Sequence, residues 1–276
     1  MNNNEIRLLQ DKCRHIRRLI INEIGKLGVG HVGGCLSIVE ALVVLYYKIM
    51  NINPDNPHME GRDRFVLSKG HAGPGLYAVL ADKGYFDVSE LDTLNKPGTN
   101  LPSHCDMLKT RGVDMTAGSL GQGISCAVGI AKASNIKRDN AYIYSIIGDG
   151  ESQEGQVWEA ALTAAQFKLD NLIAFTDNNR MQIDGNTKEI VGVEPIGDKW
   201  KAFGWNVDVV DGHDVAAIYN AIIEAKKSQG RPTMIVLNTI KGKGVSFIEA
   251  MGAKNHSMPV TEEQRIKALE ELRQEV

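Results

Sequence analysis

A chain of 276 residues can bury a large core, and its 43% hydrophobic and 24% charged content is that of an ordinary soluble globular protein. A net charge of -3 leaves no basic footprint for nucleic acid, and the longest apolar stretches are too short and interrupted to cross a bilayer. The polar start, Met1 to Gln10, lacks a signal-peptide core, and four scattered cysteines (Cys13, Cys35, Cys105, Cys126) form no CxxC pair, so a reducing cytoplasm is expected.

Apolar Ile6, Leu9, Cys13, Ile16, Leu19, Ile20 and Ile24 recur at near-helical spacing and predict a first helix over 5–26. A glycine-rich break, 28–34, separates it from a second apolar helix over 37–50. A polar loop, 51–63, precedes a short apolar strand from Phe65 that ends in Ser68-Lys69-Gly70-His71. Pro74 suits the first turn of the next helix. Residues 95–118 read as irregular, and helix resumes over 120–134. Strands are then expected over 142–147, 172–176, 205–210 and 233–238, with helices over 153–167, 195–203 and 214–227 between them. Thr261 with Gln264 is a capping box opening a last helix, 262–274.

Strands alternating with helices at this spacing imply one α/β domain over 1–276, a parallel sheet with helices on both faces. In such sheets ligands collect outside the carboxyl ends of the strands. The loops after 147, 176 and 238 are therefore where a site is expected.

The first of these loops reads Gly148-Asp149-Gly150-Glu151. Its glycines let the backbone turn sharply and approach a ligand, and the amide-rich start of the following helix faces the same place. Amides attract a diphosphate, whereas the Asp149 carboxylate repels it. A hard cation between the two resolves the conflict, magnesium or calcium being the ions that take oxygen ligands and share them with phosphates. The next loop, Thr176-Asp-Asn-Asn179-Arg-Met181, supplies a neutral side-chain oxygen from Asn179 and a carbonyl from Met181. Either motif alone is ordinary turn chemistry. At the ends of successive strands the combination is far more specific.

GDG followed 30 positions after its aspartate by Asn179 resembles the thiamine diphosphate-binding motif. The wording around it is similar to that of transketolases: Gly30-His-Val-Gly-Gly34, Ser68-Lys-Gly-His71, Leu101-Pro-Ser-His104, Gly118-Ser-Leu-Gly-Gln-Gly123, GDGESQEGQVWEA and Thr239-Ile-Lys-Gly-Lys-Gly-Val245. The match runs from about residue 10 to 256 in the family's order. The resemblance implies Asp149, Asn179 and the Met181 carbonyl as metal ligands. It puts Gly150, His71 and Lys241 near the diphosphate, Gly118 and Leu120 beside the aminopyrimidine, and Ile183 against the thiazolium. Glu154 would belong to a network linking paired cofactor sites across an interface. His31, His104 and His256 match active-site histidines that handle substrate hydroxyls and protons, with Lys69 as a companion. Histidine is suited to such proton transfer near neutral pH. His15, His58 and His213 are left as structural or solvated. Two departures stand out: Val32 where a proline is common, and Asn255-His256-Ser257 in place of Trp-His-Gly.

In this family the glutamate that bonds the aminopyrimidine lies on a separate domain. The resemblance therefore implies the amino-terminal subunit of a split transketolase. Its partner would be a carboxy-terminal subunit carrying the pyrimidine-binding domain, in a heterotetramer of two copies of each acting on sugar phosphates. Another thiamine enzyme is the nearest alternative: a specialised ketol transferase, a deoxyxylulose phosphate synthase or a 2-oxo acid dehydrogenase subunit. A non-catalytic scaffold would have damaged metal ligands, and a nicotinamide enzyme needs GxGxxG after its first strand, where it is missing. The His104–Cys105 and His31/Cys35 pairs lack zinc spacing.

Overall fold

The computed structural model describes residues 1–274. Its centre is a sheet of five parallel strands, β1 (Arg64–Leu67), β2 (Ile143–Gly148), β3 (Leu172–Asn178), β4 (Asn206–Asp211) and β5 (Thr233–Asn238), in the order β1-β2-β3-β5-β4. The central strands are apolar nearly throughout, as a sheet covered on both faces requires. Successive residues point to opposite sides: Tyr144, Ile146, Ile173, Phe175, Ile235 and Leu237 enter one core. Ile143, Ile147, Leu172, Ala174, Met234 and Val236 enter the other. This places helices on both faces, as the strand–helix alternation predicts.

On the first face lie α1 (Asn3–Leu27), α2 (Val32–Leu36), α3 (Val39–Val44), α4 (Gly73–Asp82) and α8 (Val215–Ala225). The other carries α5 (Gln122–Lys137), α6 (Gly155–Gln166) and α7 (Ile196–Ala202). The last helix, α9 (Glu262–Gln274), lies beside α1. Its start carries the expected capping box, with the Thr261 amide donating to Gln264 (2.9 Å) and the Gln264 amide to Thr261 (3.2 Å).

The predicted helix over 37–50 forms differently. Helix begins at Val32, inside the glycine run, breaks at Ser37–Ile38, and closes with a π turn over Leu45–Ile49. Gly33 and Gly34 are helical, so their value is close packing and not a left-handed turn. A Cβ on Gly33 would stand 2.0 Å from Asn255 Oδ1. The backbone leaves the helical region at Ile38, and beside it the Ser37 hydroxyl donates to the buried Asp177 carboxylate (2.7 Å). Likewise the chain after Asp149 is first a 3-10 turn, Gly150–Gln153, and α6 opens only at Gly155. No helix among the described residues is long and apolar enough to cross a membrane.

Candidate active site

Parallel pairing brings the two motif loops together. Gly148 lies opposite Asp177 and Asn178 opposite Asn238, so the chain after β2, β3 and β5 emerges at one edge. A cavity of about 340 Å³ opens there. Every residue singled out above lines it: His31, Lys69, His71, His104, Gly118, Leu120, Asp149, Gly150, Glu154, Asn179, Met181, Ile183, Lys241 and His256.

At its floor Asp149 is 1% exposed, accepting the Gly150 amide (2.7 Å) and the Arg180 amide. Asn179 turns its Oδ1 to the Met181 amide (3.0 Å) and its Nδ2 to Asp177 (2.9 Å). Burial first, then the Asp177 carboxylate, push Asp149 up to about 7. A cation beside Asp149 would oppose both effects. Among the described residues no group of three or more His, Cys, Asp or Glu side chains is placed to hold a metal. The donors here are one carboxylate with neutral oxygens, which fits a hard divalent ion sharing its coordination with phosphate. Gly150 is tight as well as flexible, since a Cβ there would come within 3.1 Å of Gln182.

Four histidines close the opposite wall. His31, the residue before α2, lies 5.6 Å from His71, 5.5 Å from His104 and 5.3 Å from His256 between ring centroids. Burial holds all four below the ordinary histidine value, His31 at about 4 and His256 at about 3. They are therefore neutral near pH 7 and can each accept as well as donate a hydrogen bond. Lys241 is buried beside them, its Nζ 3.0 Å from His256 Nδ1, and burial followed by the Lys69 charge lowers it to about 8.

The Lys69 ammonium reaches the cavity wall but is committed, donating to Asp177 and to the Gly34 carbonyl (3.0 Å). Asp177 also accepts Ser37, Asn179 and Thr239, so one carboxylate joins four segments of chain. That hub is not legible in the sequence, because Lys69 and Asp177 stand 108 positions apart and no spacing links them. Glu151 was also missed, though it directly follows GDG. It is buried and accepts Ser68 and the amides of Gly121 (2.8 Å) and Gly148 (3.0 Å), tying the Gly118–Gln122 loop to the motif. Ile183, 66% exposed, stands at the cavity rim. His213 lies elsewhere, accepting the Ile240 amide (2.8 Å) and meeting Glu40.

The family description "Transketolase, thiamine diphosphate binding domain" matches residues 9–273. The chain is 59% identical over 267 residues to a 6-deoxy-6-sulfo-D-fructose transketolase subunit of a Clostridium species, covering 97% of each. It is 40% identical to an apulose-4-phosphate transketolase subunit of Actinobacillus succinogenes, covering 97% of this chain and 96% of that protein. Among solved structures, the transketolase of Campylobacter jejuni superposes with a TM-score of 0.90 at 35% identity, over 99% of this chain and 43% of that one. The Leishmania mexicana transketolase also gives 0.90, at 31% identity, over 96% and 41%. The chain thus spans about two fifths of the solved transketolases it matches. With the metal-type loops, the histidine wall and these likenesses together, the chain belongs to the transketolase family, in its thiamine diphosphate-binding domain.

Proposed function

We propose that this single-domain chain is the diphosphate-binding subunit of a two-chain transketolase, moving a two-carbon ketol unit from a ketose to an aldose. The convergence of Asp149 and Asn179 on the floor beneath four neutral histidines carries the reading. Similarity over 97% of the chain to proteins named as transketolase subunits supports the two-chain arrangement; the partner would carry the pyrimidine-binding domain, with two copies of each subunit.

Asp149, Asn179 and the Met181 carbonyl would hold magnesium; Lys241, His71 and the Gly150 backbone would meet the diphosphate. Gly118 and Leu120 would flank the aminopyrimidine and Ile183 the thiazolium, with Glu154 reaching toward the second site. Thiamine diphosphate, once bound, supplies the carbanion chemistry. His31, His104 and His256 hold substrate hydroxyls and pass protons, which their neutral state allows. Lys69 supports them by fixing the wall through Asp177. The 59% identity to the sulfofructose transketolase subunit favours a ketose bearing a sulfonate at C6 as donor. Four free cysteines suit the cytoplasm.

The test is reconstitution. The purified chain is expected to show no ketol transfer alone and robust transfer once joined to its pyrimidine-binding partner. With that partner, 6-deoxy-6-sulfofructose is expected to outperform fructose 6-phosphate as donor. Robust turnover by the isolated chain would sink the two-chain reading, and a preference for the phosphate ester would sink the donor assignment. Asp149→Ala is expected to abolish magnesium-dependent cofactor binding in the assembled enzyme, because it removes the one charged ligand assigned. Unchanged affinity by calorimetry would remove Asp149 from the metal site.

A further inference from the structure

We propose that Asn255 is a positioning residue that ties the Lys241 turn to the Ile248 carbonyl and seats it against the helix beginning after His31, and so sets the lysine that meets the diphosphate. The proposal rests on the reading of Lys241 as a diphosphate contact.

Asn255 is wholly buried. Its Nδ2 donates to the Lys241 carbonyl (3.0 Å) and to the Ile248 carbonyl (2.9 Å). Both acceptors are carbonyls, so the amide can face them only with its nitrogen. The Oδ1 on its other side has no partner and lies against Gly33, where a Cβ would stand 2.0 Å from it. The turn closes the same triangle from the far side. Gly242 sits at φ +90°, its amide donates to the Gly33 carbonyl (3.1 Å), and a Cβ on it would come within 2.8 Å of Asn255 Nδ2. A side chain at either glycine would collide with this asparagine. The residues beside these contacts are the ones that face the cavity: His31 before the short helix, Lys241 in the turn, and His256 next to Asn255. Lys241 Nζ and His256 Nδ1 then meet at 3.0 Å.

This is where the sequence departs from the family's Trp-His-Gly wording. An indole offers a single N–H, whereas a primary amide offers two donors from one nitrogen, the number needed to hold both carbonyls at once. Apolar substitution would strand the Lys241 carbonyl and release the turn, while the Ile248 carbonyl would keep the Met251 amide (3.2 Å).

A double-mutant cycle in the assembled two-chain enzyme separates positioning from general support. Binding of thiamine diphosphate with magnesium is measured by calorimetry for Lys241→Met, Asn255→Leu and the double variant, with thermal melts to confirm folding. Each single change is expected to weaken binding about tenfold, and the double variant to bind no more weakly than Lys241→Met alone. If Asn255→Leu fails to fold, Asn255→Asp, of the same size but without the donors, enters the cycle in its place. Multiplying losses in the double variant, or wild-type affinity in the Asn255 variant, overturns the proposal while leaving the Lys241 reading intact. Wild-type affinity in Lys241→Met overturns both.

Discussion

His104 touches its own loop through Ser103, Oγ to Nδ1 at 3.0 Å, and stands apart from the metal-type floor. His104→Ala is accordingly expected to leave cofactor affinity unchanged while lowering turnover of the assembled enzyme about a hundredfold, the usual worth of a proton-transfer group. An equal loss of cofactor affinity would give His104 a different role. At this scale the sequence was most informative where a residue's chemistry is its identity. Histidines in glycine- and proline-flanked segments and an aspartate between glycines all line one cavity. What it could not show is commitment. Lys69 and Lys241 look alike as letters, yet the first is tied to Asp177 and the second sits against a neutral imidazole. Only contacts between distant segments make that difference.

Helix α5 meets the end of β1 so closely that a Cβ on Gly123 would stand 2.5 Å from the Ser68 Cα. Backbone cannot yield as a flexible side chain can. The contact is also used, since the Ile124 amide donates to Ser68 Oγ (3.0 Å) and that hydroxyl donates to Glu151. Gly123→Ala is expected to cost about 1–3 kcal/mol, read as a melting temperature lowered by several degrees. A melt unchanged within a degree or so would mean that α5 can slide without loss. Strand periodicity and helix caps put the regular elements within a few residues of their observed bounds. The 29–50 segment was harder because Gly33 and Gly34 read as a loop. Their actual service, admitting Asn255 and standing near His71, depends on neighbours far along the chain.

Over the whole molecule, two sets of buried groups pull stability in opposite directions with pH. Glu23 is 1% exposed, neither carboxyl oxygen has a partner, and burial holds it well above the ordinary carboxylate value. It stays protonated when folded and ionises when unfolded, so its contribution is full below about 4.5 and lost as pH rises toward the folded value. His31 and His256 are lowered instead, so their contribution is full above about 6.5 and lost as pH falls toward about 4 and about 3. Glu23→Met is expected to raise the melting temperature, and by more at about pH 8 than at about pH 5. An equal gain at both values would show that Glu23 keeps one protonation state on unfolding. Glu23 was invisible in the sequence, where it reads as one polar position on an amphipathic helix. The parallel sheet, finally, divides the chain's labour for anyone wishing to redesign it. The segments that reach the cavity at its carboxyl edge, around 31–34, 118–122, 179–185 and 239–244, hold residues that line it and are the ones to leave unchanged. At the amino edge the turn around 229–231, which lies outside that cavity and is largely exposed, is the place for tags, linkers or fusions.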